Sequence, residues 1–449
     1  MRRLAYVSPL PPLASGIADY SAELLPHLAR HCAVEVFAEP GPRPPRALIE
    51  ALPPVQPLAD LPARAADFDA VLYQLGNNGD FHAGAYRALF TTPGIVVLHE
   101  LVLHHMVREL TLVAGDRDAY FDEVRYCCGR SGWLLAKRSL DTGTGLDVWS
   151  YPLFERVVDA SLGVLVHSAG SRQRVLASRP RAQAHAVPFP WSGAGDTAAA
   201  DAAALRARLG LPPDALLIAA FGYMTRAKRL DVALRAFARI APRHPQAVFV
   251  VAGEVAKDYD VATLVPEELR PRIVFTGRTP PADFLGLMAA ANLAVNLRWP
   301  SAGETSATLI RLLGMGRPVV VTDAGSFAEL PGGTCAKVPP DQAEEELLAA
   351  YLDALAADPA LRRAMGEAAR RHVEAHHRVE VTAAAYAAAV EAILAAGTRP
   401  VPAVPPLAPY PPEDVLSDLI AEATADAVDL GAGEDEDELL RGLAEDLAG

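Results

Sequence analysis

Cysteine is scarce in this chain, and long apolar runs are absent from it. Four cysteines occur among 449 residues, without a C-x-x-C pair or a histidine spacing typical of zinc sites. We therefore expect reduced thiols and a cytoplasmic protein. Gly, Pro, Arg or His interrupts each apolar run before it reaches the roughly 20 residues that a membrane-spanning helix needs. The first residues lack the apolar core of a signal peptide and instead predict a strand.

Most of the chain also lacks an excess of charge of either sign. Residues 411–449 contain thirteen acidic residues and one basic residue, and so carry −12 of the net charge of −14. A protein that binds nucleic acid non-specifically must neutralise many phosphates. We therefore expect no nucleic-acid partner, although this balance leaves the binding of a single nucleotide open. No basic amphipathic helix stands out that would support contact with a membrane surface.

Strand-like apolar runs alternate with amphipathic segments in two successive series. The first series covers residues 4–8, 34–37, 70–74, 94–99 and 163–167, and the second covers residues 216–221, 247–252, 273–275, 293–296 and 318–322. Alternation of this kind is typical of parallel, doubly wound sheets, and a chain of this length predicts two domains.

The domain boundary is predicted near residue 190, where an irregular stretch separates the two series. One Rossmann-like domain would cover residues 1–190. The other would cover residues 191–396, with two or three Ala-, Leu- and Glu-rich closing helices at its end. Residues 397–449 would form a proline-rich linker and an acidic tail that is disordered or binds a partner protein.

Ligands of open parallel sheets bind beyond the carboxyl ends of the strands, so the residues that follow each strand are candidates. Gly16 begins a helix after the first strand, where backbone amides can approach a ligand; an ordinary turn is the alternative. His99 follows a strand and can donate a hydrogen bond or transfer a proton, or it is a structural histidine. Arg226 and Lys228 lie at a predicted helix start, where they bind a phosphate or remain solvated surface charge.

The strongest local pattern is the sequence Gly-Glu-Thr-Ser at residues 303–306, between a strand and a helix. The amides of Thr305 and Ser306 are expected among the unsatisfied N–H groups of the first helical turn, where they would hold a diphosphate. It costs free energy to place an anion such as Glu304 beside a phosphate, unless hydroxyl groups donate hydrogen bonds to the carboxylate. Sugar hydroxyls are such donors.

Eight such motifs together resemble the family 4 glycosyltransferases, which are retaining enzymes. They occur at residues 15–20, 97–100, 228–231, 251–254, 275–278, 303–306, 316–320 and 324–329, in an order and spacing that agree over about residues 3–395. The resemblance implies an α/β protein of the GT-B fold, in which two Rossmann-like, doubly wound parallel-sheet domains face a central cleft. The first domain would bind the acceptor and the second the nucleotide sugar.

The resemblance also implies roles for particular residues. Lys228 would lie against the donor diphosphate, and backbone groups near Gly277 and Arg278 against the base. Glu304 would bind the transferred sugar, with His99 near its anomeric end.

Two positions depart from the family pattern. The second of the two usual glutamates falls on Arg311, which leaves the ribose contact unassigned. The arginine normally found five residues before the lysine is Tyr223, so Arg226 or Arg229 must replace it.

The predicted activity is transfer of a mannose- or glucose-type hexosyl unit from a nucleoside diphosphate sugar to a saccharide or lipid-linked acceptor. We expect retention of configuration and, because no Asp-x-Asp motif is present, neither a metal nor another cofactor. Analogy with the family also suggests peripheral membrane contact. The alternatives are a non-catalytic protein that binds a nucleotide sugar or a glycan on the same scaffold, and a phosphorylase or epimerase.

Overall fold

The computed structural model describes residues 1–42, 50, 52–193, 202–212, 214–261, 263 and 265–397. The linker and acidic tail predicted after residue 397 lie outside this part of the chain. Within it, two parallel sheets form the cores of two lobes, which we call the first and the second lobe. The predicted pair of doubly wound parallel sheets is confirmed.

The sheet of the first lobe has seven strands in the order β3-β2-β1-β4-β5-β6-β7. Its strands are β1 (Arg3–Val7), β2 (Ala33–Ala38), β3 (Val55–Pro57), β4 (Ala70–Leu75), β5 (Ile95–Leu98), β6 (Gly163–Val166) and β7 (Ala184–Ala186). Strands β4, β5 and β6 are buried along their whole length, as expected for parallel strands covered by helices on both faces.

The sheet of the second lobe has six strands in the order β10-β9-β8-β11-β12-β13. Its strands are β8 (Leu216–Phe221), β9 (Ala247–Ala252), β10 (Ile273–Gly277), β11 (Leu293–Asn296), β12 (Val319–Thr322) and β13 (Ala336–Val338). In both sheets the strand order reverses direction beside the first strand of the lobe. A ligand crevice is expected at such a reversal.

The helices of the described residues cover both faces of the sheets. Those of the first lobe are α1 (Gly16–Leu28), α2 (Leu61–Arg64), α3 (Gly79–Thr91), α4 (His104–Arg108), α5 (Arg117–Thr142), α6 (Glu155–Ala160) and α7 (Ala169–Ser178), with a kink in α5 at Gly129. Those that follow are α8 (Ala202–Arg208), α9 (Leu230–Ile240), α10 (Pro281–Ala290), α11 (Ala307–Gly314), α12 (Gly325–Ala328), α13 (Glu344–Ala357), α14 (Pro359–His376) and α15 (Val379–Ala396).

The last helix, α15, returns to the first lobe and packs on α1. The hydroxyl groups of Tyr20 and Tyr386 lie 2.5 Å apart, and Ile393 fills the space beside Gly163 at the start of β6. The closing helices are therefore divided between the lobes, because α15 completes the first lobe after α13 and α14 have covered the second.

Helix α15 is also long and apolar enough to span a membrane by length and composition alone. No run of this length is expected from the sequence, but within the 18 residues of α15 only the acidic residues Glu380 and Glu391 interrupt the apolar character. Its buried face includes Ala383, Tyr386 and Val390, which lie in the hydrophobic core between the lobes. Core helices commonly pass this test, so it is weak evidence for a membrane span.

Candidate active site

A cavity of about 390 Å³ lies between the lobes at the carboxyl ends of their central strands. The first lobe lines it with residues 14–17, 76–78, 81–82, 99–100 and 189, and the second with residues 298, 304–305 and 307. We call this cavity the cleft. A larger cavity of about 480 Å³ opens at the amino end of β6, but none of the predicted site residues lines it.

The start of helix α11 faces the cleft, two residues later than the sequence predicts. Ser306 is the residue that caps the helix, and its hydroxyl oxygen accepts from the amide of Leu309 at 3.2 Å. The expectation that Thr305 and Ser306 belong to the first helical turn is therefore wrong, because Ser306 competes for the helix start as a favourable cap. In the first turn the amides of Ala307 and Thr308 have no partner within the helix, and Ala307 lines the cleft.

Glu304 folds back over its own loop and pairs with Arg298. One carboxylate oxygen accepts from Nη1 of Arg298 at 2.9 Å, and the other accepts from the backbone amide of Ala302 at 2.7 Å. Both side chains are mostly buried, with 20% and 16% of their surface exposed. Sequence reasoning gave Arg298 no role, although its position two residues after β11 was a signal that it could reach the cleft.

Lys228 lies close to the same loop. Its Nζ donates to the carbonyl of Phe221 at 2.9 Å, and burial together with the positive charge of Arg298 lowers its pKa to about 7. A side chain at Gly222 would lie 2.6 Å from this Nζ and 4.0 Å from Oγ1 of Thr308. The ammonium group and the first turn of α11 therefore border one space. Two cations so near each other favour an anion between them.

The two other basic residues of this turn point elsewhere. Arg226 is exposed, donates to the carbonyl of Asp258 at 2.6 Å and lies over the ring of Tyr259. Arg229 forms an ion pair with the buried Glu344. The structure does not bring Arg226 to Lys228, so the predicted role of Arg226 at the donor phosphate is not supported by its position.

Gly16 begins helix α1 on the other side of the cleft. Ser15 caps this helix by accepting from the amide of Ile17 at 3.3 Å. A side chain at Gly16 would meet nothing within 4 Å, so the backbone there is open to a ligand. The amides of Ile17, Ala18 and Asp19 already donate to Ser15, so only the backbone at Gly16 itself is left for a ligand, and its role at the donor phosphate stays a prediction.

His99 is held in one orientation at the end of β5. Its Nε2 lies 2.8 Å from Oε1 of Gln74, and its ring packs edge-on against Tyr20 with centroids 4.7 Å apart. Burial and the neighbouring His167 lower its pKa well below the ordinary value, so the ring is neutral. Because Nε2 donates to the Gln74 carbonyl oxygen, Nδ1 is left as a hydrogen-bond acceptor.

Gly277 and Arg278 lie at the edge of the second lobe and outside the lining of the cleft. Gly277 ends β10 with φ of +63°, and Arg278 is exposed. Gly222 and Gly253, which follow the neighbouring strands β8 and β9, also have positive φ values of +93° and +137°. A side chain at Gly253 would lie 2.3 Å from the carbonyl oxygen of Gly222. Only glycine fits at position 253, because the turns that follow β8 and β9 lie in contact there.

The two departures from the family pattern have structural consequences. Nη2 of Arg311 lies 3.5 Å from Oε2 of Glu23 in α1, so the residue that replaces the usual second glutamate forms an ion pair between the lobes. Tyr223 is 55% exposed. Neither residue lines the cleft, and the residue that would contact a ribose stays unassigned.

Hydrogen bonds between the lobes hold the loop at residues 302–305 in place. The amide of Leu101 donates to the carbonyl of Ala302 at 2.7 Å, and the hydroxyl of Ser171 donates to the carbonyl of Gly303 at 2.7 Å. The hydroxyl of Thr305 donates to the carbonyl of His167 at 3.3 Å. Closure of the lobes thus fixes the loop that carries Glu304.

Two parallel α/β lobes that face a cleft lined by helix starts and basic side chains define the GT-B class of fold. The likeness to solved structures agrees with this fold. The Anabaena protein Alr3699/HepE in complex with UDP and glucose has a TM-score of 0.62 and 16% identity, over 87% of this chain and 100% of that one. Sucrose-phosphate synthase from Thermosynechococcus elongatus has a TM-score of 0.60 and 19% identity, over 88% of this chain and 100% of that one.

The second lobe carries a family signature. Residues 213–358 match the family described as Glycosyl transferases group 1, so the predicted resemblance to glycosyltransferases is confirmed at this level, whereas family 4 in particular stays a prediction. A lipopolysaccharide core biosynthesis mannosyltransferase, LpcC of Rhizobium leguminosarum bv. viciae, is 30% identical over 193 residues. That alignment covers 40% of this chain and 52% of the relative, so the chain spans about half the length of the curated relative it matches.

Proposed function

We propose that this protein is a glycosyltransferase that moves a hexosyl unit from a nucleoside diphosphate sugar to an acceptor hydroxyl. The observation that carries the proposal is the convergence of Lys228 and Arg298 beside the start of α11. Glu304 supplies one negative charge for these two cations, and a diphosphate would supply the remainder. The match of residues 213–358 to Glycosyl transferases group 1 supports the same activity.

The main barrier to this reaction is the charge that develops on the departing diphosphate. Lys228, Arg298 and the amides of Ala307 and Thr308 would stabilise that charge in a partly dehydrated cleft. Removal of one such preorganised group costs about 3 kcal/mol, or roughly two decades in rate. Lys228 and Arg298 would stabilise the charge that a divalent metal stabilises in other transferases. We therefore predict that neither a metal nor another cofactor is needed.

Glu304 and His99 would bind the transferred sugar from opposite lobes. Glu304 already accepts from the loop amide of Ala302, and hydroxyl groups of a sugar would add donors to its carboxylate. Nδ1 of the neutral His99 would accept a further hydroxyl. Selectivity among sugars would arise because an analogue that lacks one of these hydroxyls leaves a polar group unpaired.

The finer statements are also part of the proposal. The donor carries mannose or glucose, transfer retains the anomeric configuration, and the acceptor is a saccharide or a lipid-linked saccharide. The relative LpcC is a mannosyltransferase of lipopolysaccharide core biosynthesis, which supports mannose and a glycan acceptor. We place the reaction in the cytoplasm, with peripheral membrane contact where the acceptor is lipid-linked.

A panel of nucleotide sugars tests the proposal. The purified protein is incubated with GDP-mannose, UDP-glucose and related donors, with and without saccharide acceptors, and nucleotide release is measured with and without a chelator. We expect release that depends on an acceptor and resists the chelator. Binding of a nucleotide sugar without release would instead establish the non-catalytic alternative, and release that the chelator abolishes would contradict metal independence.

A further inference from the structure

Glu100 is a carboxylic acid in the cleft that the proposed mechanism has not yet used. It follows His99 at the end of β5 and lines the cleft from the first lobe. Its Oε1 accepts from the backbone amide of Asn77 at 3.0 Å. Among the described residues, no donor contacts its Oε2.

The surroundings of Glu100 disfavour its charge. Burial, followed by the negative charge of Glu304, raises its pKa to about 7, against the opposing effects of the Asn77 amide and of Arg298. The other titratable side chains of the first lobe that line the cleft are His82 and His99, and burial lowers the pKa of both. No cation of the first lobe lines the cleft beside Glu100 in the described residues.

A purely structural role does not account for this arrangement. Glu109, which accepts from the amide of Gly79 at 2.7 Å, shows that a carboxylate can support the same lobe from outside the cleft. Glu100 instead keeps one oxygen open to the cleft, where desolvation is costly unless a ligand donates to it. A hydroxyl group can donate a hydrogen bond to such an oxygen and leave the carboxylate charged.

We propose that Glu100 binds the acceptor hydroxyl that attacks the donor sugar, an inference that rests on the proposed function. Glu100 and Glu304 face the same cleft from opposite lobes, so the hydroxyl held by one meets the sugar held by the other. The acceptor oxygen forms a bond to the anomeric carbon, and the bond from that carbon to the diphosphate oxygen breaks. The hydroxyl donates to Glu100 while the acceptor binds, and its proton passes to the departing diphosphate oxygen as the two bonds exchange, so Glu100 orients the hydroxyl and keeps its charge.

The part of the acceptor that carries the reacting hydroxyl is consequently a neutral polyol. A carboxylate or phosphate beside the reacting hydroxyl would be repelled by Glu100 and Glu304 together. Asn77 and Asn78 also line the cleft; their side-chain carbonyl oxygens accept from the amides of Met106 and Asp80, which leaves their NH2 groups to donate to further sugar hydroxyls.

Glu100→Gln tests this assignment, and Glu109→Gln is the matched control. Both substitutions remove the charge of a carboxylate that accepts from a backbone amide. Nucleotide release is measured with a saccharide acceptor and with water alone, and donor affinity is measured by calorimetry. We expect Glu100→Gln to lower kcat/KM for the acceptor about ten- to hundredfold while donor affinity stays within twofold. Glu109→Gln should resemble the wild type in all three.

The pH profile supplies a readout that a structural role would not change. Wild-type kcat/KM for the acceptor should fall below about pH 7 as Glu100 becomes protonated, whereas the profile of Glu100→Gln should lack this step. A wild-type profile and a wild-type acceptor kcat/KM in Glu100→Gln would overturn the assignment of Glu100 alone. A wild-type protein that binds no nucleotide sugar would overturn the proposed function and this inference with it.

Discussion

Arg298 donates to Glu304 across 2.9 Å, and this pair joins the end of β11 to the loop before α11. Arg298 also contributes to the lowered pKa of Lys228, whereas Glu304 opposes that shift. The three side chains therefore form one electrostatic unit. We propose that Arg298 takes the place of the arginine that the family pattern has five residues before the lysine, where this chain has Tyr223.

Replacement of Arg298 should abolish most of the activity, and replacement of Arg226 should not. Arg298→Ala removes a preorganised cation and should lower kcat/KM for the donor about a hundredfold. Arg226→Ala removes a guanidinium that contacts Asp258 and Tyr259, and should stay within about twofold of the wild type. Steady-state nucleotide release compares the two variants. Equal losses in both would return Arg226 to the phosphate site.

Binding of a nucleoside diphosphate should take up protons. The pKa of Lys228 is about 7 in the empty cleft, so much of the population is neutral at pH 8. A bound diphosphate favours the charged form and raises this pKa, so roughly one proton is taken up at pH 8 and affinity increases as pH falls toward 7. Calorimetry in buffers of different ionisation enthalpy measures the uptake. Lys228→Met should lose it, and uptake unchanged in that variant would assign it to another group.

Arg311 and Glu23 should be energetically coupled across the lobes. The pair is partly buried, with 27% and 13% of the side chains exposed, so a double-mutant cycle of unfolding free energies should give a coupling of about 1 kcal/mol. Arg311→Glu restores the usual acid of the family but places it beside Glu23 and Asp19. It should therefore destabilise the protein, and the double variant Glu23→Arg with Arg311→Glu should recover part of the loss. Additive effects of the two substitutions would show that the pair contributes nothing.

Glu329 should hold the lobes together through the start of α7. Its carboxylate accepts from the amides of Ala169 and Gly170 at 2.9 and 2.7 Å, where the helix dipole favours an anion. Glu329→Gln should lower the free energy of unfolding by about 1 kcal/mol and increase the radius of gyration in small-angle scattering. Glu367→Gln, an exposed carboxylate on α14, is the control and should change neither quantity. An unchanged scattering profile in Glu329→Gln would contradict a role in closure.

The central strands were predictable from the sequence, whereas three of the four edge strands were not. Strands β8, β9 and β11 begin and end where the apolar runs predict, because buried parallel strands are continuous apolar segments bounded by turns. Strands β3, β7 and β13 were missed. Each has three residues at a sheet edge, and β3 is partly exposed throughout, so none forms an apolar run that differs from a loop.

The candidate active site could likewise be predicted only in part from the sequence. Motif spacing placed Lys228 and Glu304 near the same helix start, but it could not show which neighbouring cation joins them. Arg226 and Lys228 are two residues apart in a 3-10 helix, which has three residues per turn, so their side chains point in different directions. Arg298 comes from another strand end, and only the fold brings it beside Lys228.

Titration of the purified protein with nucleoside diphosphate sugars tests the central claim most directly. We expect the wild type to bind one donor per chain and to release nucleotide when a saccharide acceptor is present. Lys228→Ala should weaken binding and lower kcat/KM about a hundredfold. Donor affinity and turnover in Lys228→Ala equal to those of the wild type would contradict the claim that Lys228, Arg298 and the start of α11 hold the diphosphate.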